Sequence, residues 1–145
     1  MNPDVKKKWL AALLTENYSQ GSGALCSINR DTGEKQFCCL GVLCDIAVRE
    51  NILKEPVPDI YNSTSQVNAF MWYGNVGGRE SKMYLPNEVR IWAGLEQSDP
   101  VVPVDINLVG QYDRDEDSQD WTTLAQLNDN GVSFDKLSRI INEYL

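Results

Sequence analysis

Apolar residues near the start of the chain recur at the spacing of one helix face. Asn2-Pro3-Asp4 stands before them and supplies an N-cap, a proline at the first helical position and a carboxylate in the first turn. Because residues three and four apart share one side of a helix, the pattern predicts an amphipathic helix that ends near Thr15. Its predicted inner face consists of Val5, Trp9, Leu10, Leu13 and Leu14.

Residues 39–50 are apolar on nearly all sides when the segment is placed on a helix. A helix of this kind belongs in the middle of a core. Only Gly41 and Asp45 break the pattern, and Gly41 would let a neighbouring element approach closely. We therefore expect burial of Leu40, Leu43 and Ala47 together with Trp9, Leu13 and Phe134.

Three shorter helices are predicted in the second half of the chain. Pro86 opens a helix over residues 87–93. Another begins near Trp121 and closes at Asn130-Gly131. Ser133 caps the last helix. The inner face of that helix is formed by Phe134, Leu137, Ile140, Ile141 and Tyr144.

Strands are predicted where short apolar or alternating runs stand between turn residues. Residues 24–28 and 35–38 have the pattern of a hairpin, and Asp31-Thr32-Gly33 supplies its turn. Residues 69–73 form a third strand, and we expect residues 82–85 to pair back with it. Residues 19–23, before the hairpin, and residues 54–68, before the third strand, are predicted to be loops.

Residues 101–109 contain one or two further strands, which Pro103 restricts to the edge of a sheet. The resulting order mixes helices and strands without a βαβ alternation, which predicts an α+β fold. The 145 residues have the length of one domain. We predict a compact single domain over residues 1–145, with a small antiparallel sheet packed against about five helices.

Composition narrows the functional classes. No stretch approaches the roughly 20 apolar residues of a membrane helix, and no export signal is present, so we expect a cytoplasmic protein without a membrane partner. The net charge of −8 argues against binding to nucleic acid, which depends on clustered Lys and Arg. The absence of histidine excludes Ser-His, Cys-His and HExxH mechanisms. We therefore expect a non-enzymatic protein without a cofactor.

The four cysteines do not have the paired spacing of a zinc site. Cys38 and Cys39 are adjacent, Cys44 follows five residues later, and Cys26 stands apart. Disulfides are not expected in a protein without an export signal. The cysteines are predicted to be buried, reduced thiols that bind no metal.

Two acidic features admit a functional and a structural interpretation. Asp45 could act as a general base or hold a ligand hydroxyl, but a carboxylate bonded to backbone N–H groups or an arginine is preferred. Residues 113–117 begin like a calcium loop. However, Ser118 stands where that loop needs glycine and Leu124 where it needs a bidentate Glu, so a solvated acidic loop is predicted.

The densest combination of aromatic rings, glycines and cations lies in residues 70–84. Aromatic faces can stack a purine base, while Arg, Lys and backbone N–H groups can hold phosphate. The segment lacks the Gly-Lys-Ser/Thr of a P-loop, and the alternative is an exposed hairpin with half-buried aromatics. The predicted ligand-binding residues are Trp72, Tyr73, Arg79, Lys82 and Tyr84.

Several blocks of the sequence form a distinctive pattern. The most distinctive is Phe-Cys-Cys-Leu-Gly-Val-Leu-Cys-Asp-Ile-Ala at residues 37–47. The others are Asn2-Pro3-Asp4-Val5, Leu85-Pro86, Trp92-Ala93-Gly94-Leu95 and Leu127-Asn128-Asp129-Asn130-Gly131. Together these blocks resemble a family of small proteins encoded by tailed bacteriophages and prophages. The resemblance implies a phage protein that acts in the bacterial cytoplasm, and it carries no transferable activity.

Small acidic phage proteins without catalytic motifs often blunt host defence, and two modes suit this composition. In the first, a homo-oligomer binds and sequesters a small anionic, nucleotide-like immune signal of the host. In the second, the protein inhibits a host defence enzyme directly, for example by mimicking DNA with carboxylates. A histidine-free enzyme that uses Asp45 or the acidic loop is the third alternative.

Overall fold

The computed structural model describes residues 1–59, 68–74, 81–103 and 121–145. The predicted α+β class is confirmed, with helices packed around a five-stranded sheet and a separate two-stranded sheet. The acidic stretch at residues 113–117 lies outside the described residues. The helices of the described part are α1 (Pro3–Leu13), α2 (Cys39–Arg49), α3 (Asn87–Trp92), α4 (Leu124–Asp129) and α5 (Phe134–Tyr144).

The five-stranded sheet has the order β1-β3-β2-β5-β4 and is antiparallel except for one pair. That pair is β1 and β3, which run parallel. The two-stranded sheet joins β6 and β7 in antiparallel fashion. The strands are β1 (Ser19–Gln20), β2 (Cys26–Asn29), β3 (Lys35–Phe37), β4 (Val57–Pro58), β5 (Asn68–Trp72), β6 (Val101–Pro103) and β7 (Trp121–Thr123).

Helix α2 is the centre of the core, as its all-round apolar sequence predicts. Its residues Leu40, Leu43 and Ala47 are fully buried, and the Nε1–H of Trp9 in α1 donates a 2.9 Å hydrogen bond to the carbonyl oxygen of Cys39. Trp9 can therefore be buried without leaving its indole N–H unpaired. The predicted burial of Leu13 and Phe134 is also confirmed.

Gly41 explains how α2 packs so closely against the sheet. A Cβ atom at this position would lie 1.6 Å from the carbonyl oxygen of Leu25, just before β2. The same oxygen accepts a 3.1 Å hydrogen bond from the backbone N–H of Cys38, the N-cap residue of α2. The contact fixes the position of α2 on the sheet, and only glycine leaves room for it.

Asn128 connects the start of α2 to the C-terminal helices. Its side chain is 2% exposed, and its Oδ1 accepts hydrogen bonds from the backbone N–H of Cys39 at 3.1 Å and from Gln20 Nε2 at 3.2 Å. Its Nδ2 donates a 2.7 Å bond to the carbonyl oxygen of Gly21. The sequence Asn128-Asp129-Asn130-Gly131 is therefore a structural junction as well as a turn.

Four predictions of secondary structure are corrected. Ser19–Gln20 and Val57–Pro58 were expected in loops, but they form β1 and β4 because their backbones pair with β3 and β5. Trp121–Thr123 forms β7 instead of starting a helix, since Thr123 and Gln126 make a capping box that begins α4 at Leu124. Residues 82–85 form no strand; the pairing partner of Tyr73 is Ser81.

The longest helices of the described residues, α1, α2 and α5, have 11 residues each. Among the residues that the structure describes, no helix has both the length and the hydropathy required to cross a membrane.

Candidate functional site

Strand β5 turns alternate side chains toward the core and toward the outer face of the sheet. Ala69, Met71 and Tyr73 are buried, whereas Phe70 and Trp72 are partly exposed. Because successive strand residues point to opposite faces, Phe70 and Trp72 stand next to each other on the outer face. Two aromatic rings thus share one solvent-facing surface.

Lys82 lies over both of these rings. Its Nζ is 5.0 Å from the centre of the Trp72 ring and 5.7 Å from that of Phe70, within the range of cation–π attraction. The same atom forms a 3.0 Å ion pair with Oδ2 of Asp59, which is 4% exposed. We call Asp59, Phe70, Trp72 and Lys82 the aromatic–lysine cluster.

The structure brings together two of the predicted ligand-binding residues, Trp72 and Lys82. Tyr73 does not share their surface, since it is 1% exposed on the opposite face of the sheet. Tyr84 is 51% exposed but lines a different cavity. Arg79 lies outside the described residues.

Tyr73 is a core residue. Burial raises the pKa of its hydroxyl well above the usual range, with the neighbouring Cys26 and Cys44 thiols acting in the same direction. The hydroxyl is hydrogen-bonded to Cys26, and the backbone of Tyr73 exchanges two 2.8 Å hydrogen bonds with Ser81. Tyr73 therefore closes the end of the sheet and is not available for stacking.

Tyr84 lines a cavity of about 190 Å³ that is acidic in character. Asp99 and Asp129 both border this cavity, together with Cys38. Burial raises the pKa of Asp99, and the nearby Asp129 carboxylate adds to this effect. Burial also raises the pKa of the Cys38 thiol to about 12, so the thiol is protonated near neutral pH and is a poor nucleophile.

Asp45 has the arginine partner that its structural interpretation requires. Its Oδ2 accepts a 2.6 Å hydrogen bond from the hydroxyl of Tyr18 and forms a 2.8 Å ion pair with Arg49 one turn later in α2. The Arg49 guanidinium also lies 5.7 Å from the centre of the Tyr18 ring. Asp45 thereby ties α2 to the segment before β1.

All four cysteines are buried free thiols. Cys39 and Cys44 are in α2, Cys38 is its N-cap, and Cys26 lies in β2. Within the described residues, no group of three or more Cys, Asp or Glu side chains is arranged to hold a metal ion.

Sequence reasoning missed two members of the aromatic–lysine cluster. Phe70 could have been found from the strand period, because it is two residues before Trp72. Asp59 lies 23 residues from Lys82 along the chain, and no spacing rule relates the two.

The fold and the cluster define the class of this protein. It is an α+β domain with an aromatic and cationic surface on the outer face of its sheet. The chain belongs to the family DUF8296, described as a domain of unknown function, which matches residues 1–145. Searches of curated proteins and of solved structures found no match to this chain.

Proposed function

We propose that this protein binds and sequesters a small anionic, nucleotide-like ligand at the aromatic–lysine cluster, without catalysing a reaction. The observation that carries the proposal is the position of Lys82, whose ammonium group lies over two adjacent, partly exposed aromatic rings. A planar base with an attached phosphate matches both parts of this surface.

The aromatic part of the surface supports stacking of a base. Trp72 and Phe70 are held by a strand that is paired on both sides, so their backbone is fixed before the ligand binds. Stacking of one base on an aromatic side chain contributes roughly 1–3 kcal/mol. A preformed platform loses little conformational entropy on binding, which favours affinity.

The charge of the cluster limits how phosphate can bind. Asp59 already neutralises Lys82 through the 3.0 Å ion pair, so a phosphate would share the ammonium group with a buried carboxylate. Arg79, the second cation of the predicted site, would then supply the remaining positive charge. On this proposal base stacking provides most of the affinity, and the cations orient the phosphate.

Sequestration of a host immune signal is the biological role that we propose for this binding. It rests on the resemblance of residues 37–47 and the other sequence blocks to phage proteins. A homo-oligomer in the bacterial cytoplasm would raise the number of sites per particle. Light scattering on the purified protein measures that oligomeric state.

The direct test is recovery of the ligand. The purified protein is incubated with a lysate of infected, defence-positive cells, washed and heat-denatured, and the released small molecules are analysed by mass spectrometry. Wild type is expected to release a nucleotide in stoichiometric amount, and Trp72→Ala to release at least tenfold less. Absence of any nucleotide from the wild-type eluate, and of any thermal shift with a panel of nucleotides, contradicts the proposal.

Direct inhibition of a host protein is a second candidate function, favoured by the two-stranded sheet. Val101 and Trp121 are 42% and 58% exposed, and the register places Val101, Pro103 and Trp121 on one face of the β6–β7 ribbon. An exposed apolar face of this kind is typical of a protein-binding surface. Co-purification of a host enzyme that depends on Trp121, with no released nucleotide, favours this function over sequestration.

A further inference from the structure

A polar groove lies on the same outer face of the sheet, next to the aromatic–lysine cluster. Its volume is about 480 Å³, and it shares Phe70 with the cluster. The row Gln36, Ser27 and Phe70 crosses three neighbouring strands and forms the floor, because these residues are direct partners in the register of β3, β2 and β5. The loop at residues 20–22 and the turn containing Asp129 form the walls.

Ser27 is the unusual member of this floor. It is 8% exposed, so more than nine-tenths of the residue is buried, and it lines the groove. Its backbone pairs with β3 on one side and β5 on the other. Within the described part of the chain its hydroxyl makes no hydrogen bond. Among the described residues no buried side-chain oxygen or nitrogen lacks a partner, so the Ser27 hydroxyl is accessible to solvent and can bond a ligand group in the groove that the residue lines.

The walls of the groove are held in place before any ligand binds. Gly21 donates its N–H to the carbonyl oxygen of Phe37 at 2.8 Å and accepts from Asn128 Nδ2 at 2.7 Å. Asp129 Oδ1 accepts a 2.9 Å bond from the backbone N–H of Gly23. A Cβ atom on Gly21 would come within 2.8 Å of the Cβ of Gln36, so the wall stands directly against the floor.

We propose that this groove is a subsite for a neutral, hydroxyl-bearing group, the sugar of a nucleoside whose base stacks on the neighbouring aromatic rings. The inference rests on the proposed function and specifies which part of the ligand lies beside the cluster. Ser27 and Gln36 each offer a donor and an acceptor. Asp129 offers a carboxylate, the group that commonly accepts hydrogen bonds from ribose hydroxyls.

Charge decides which part of the ligand enters the groove. Asp129 lines it and would repel a phosphate, whereas a sugar hydroxyl gains a charge-assisted hydrogen bond to the same carboxylate. Lys82, the cation of the cluster, lies 5.7 Å from the centre of the Phe70 ring and does not line the groove. The groove therefore selects for ribose over phosphate and for ribonucleosides over analogues that lack the hydroxyls.

The test uses the full-length protein and three probes: adenosine, its dideoxy analogue and free adenine, with affinities measured by calorimetry. Wild type is expected to bind adenosine about three- to tenfold more tightly than dideoxyadenosine, the ratio that one or two net hydrogen bonds provide. Ser27→Ala should reduce this ratio towards one while adenine binding stays unchanged. Asp129→Asn, which keeps an oxygen for the Gly23 N–H, should also reduce it.

The outcomes separate the two proposals. Equal binding of adenosine and dideoxyadenosine to wild type, or a ratio that survives Ser27→Ala, overturns the sugar subsite and leaves base stacking in place. Failure of wild type to bind any of the three probes, together with the absence of a thermal shift with nucleotides, contradicts both proposals. Trp72→Ala should weaken all three probes by a similar factor, because it removes only the stacking surface.

Discussion

Lys82 and Asp59 form a 3.0 Å ion pair in which the carboxylate is 4% exposed and the ammonium group also lies over the Trp72 ring. The pair joins the segment after β5 to the residue that follows β4. It therefore has two consequences, one for the stability of the sheet edge and one for ligand binding.

Lys82→Met should destabilise the protein, because methionine preserves the apolar stem but removes the ion pair with the buried Asp59 carboxylate. A buried charged group that loses its partner costs roughly 1–3 kcal/mol. Lys7→Met is the matched control, since Lys7 is exposed and should change stability by less than about 0.5 kcal/mol. Urea denaturation of both variants measures the free energy of unfolding.

Adding Asp59→Asn to Lys82→Met tests the cause of that loss. The double variant should be more stable than Lys82→Met alone, because the buried side chain at position 59 no longer carries a charge. Equal stability of the single and double variants would show that the ion pair is not what holds this edge together.

Asn128→Ala should be strongly destabilising, although the residue is polar and near a turn. The change leaves the Cys39 N–H and the Gly21 carbonyl oxygen without a partner. The Cys39 N–H is buried and the Gly21 carbonyl oxygen is partly buried, so we expect a loss of about 2 kcal/mol or more. Asn130→Ala, at an exposed position in the same turn, should cost less than about 1 kcal/mol. Similar losses for the two variants would contradict a structural junction at Asn128.

Gly41→Ala should reverse the usual effect of this substitution. In a helix interior, alanine is favoured over glycine by about 1 kcal/mol. Here the new Cβ would lie 1.6 Å from the Leu25 carbonyl oxygen, so α2 could not keep its place on the sheet. We expect loss of cooperative unfolding by circular dichroism. Leu43→Ala, which only opens a cavity in the same helix, should remain folded and lose about 2–5 kcal/mol. A Gly41→Ala protein with wild-type stability would refute the close approach.

Asp99 should make the protein's stability depend on pH. Burial raises its pKa in the folded state above the ordinary value of 3.8. A carboxyl of this kind stabilises the fold most below that value, and the contribution is lost as the pH rises through the folded-state pKa. Asp99→Asn retains an acceptor for the N–H of Ala125 but cannot ionise. Its stability relative to wild type should therefore increase from acidic to neutral pH, and a constant difference in urea denaturation would contradict the assignment.

Predictions of secondary structure and burial from the sequence were most accurate where one physical effect dominates. Residues 39–50 are apolar on all sides, and only a central core helix can bury such a segment, so α2 and its buried residues were predicted correctly. The helical period also predicted the burial of Phe134, Leu137, Ile140 and Ile141 in α5, but it was wrong for Tyr144, which is 37% exposed. The hairpin of β2 and β3 was also predicted, since its turn residues stand between two strand-like runs.

Prediction failed where long-range pairing decides the structure. Ser19–Gln20 is polar and has no periodic pattern, and it becomes β1 only because β3 provides backbone partners. Folding brings Asp59 into the aromatic–lysine cluster, and no regular spacing along the sequence relates it to the other members. Tyr73 is the instructive case: adjacent residues on a strand face opposite ways, so Trp72 and Tyr73 could not both line one outer surface.

The most direct test of the proposed binding site is calorimetric titration of adenosine monophosphate into wild type, Trp72→Ala and Trp121→Ala. The two variants remove the same side chain from two partly exposed positions, one in the aromatic–lysine cluster and one on the β6–β7 ribbon. We predict that Trp72→Ala weakens binding about tenfold or more, with a nearly unchanged melting temperature, while Trp121→Ala binds like wild type. Full affinity in Trp72→Ala, or equal losses in the two variants, would contradict a ligand site at this cluster.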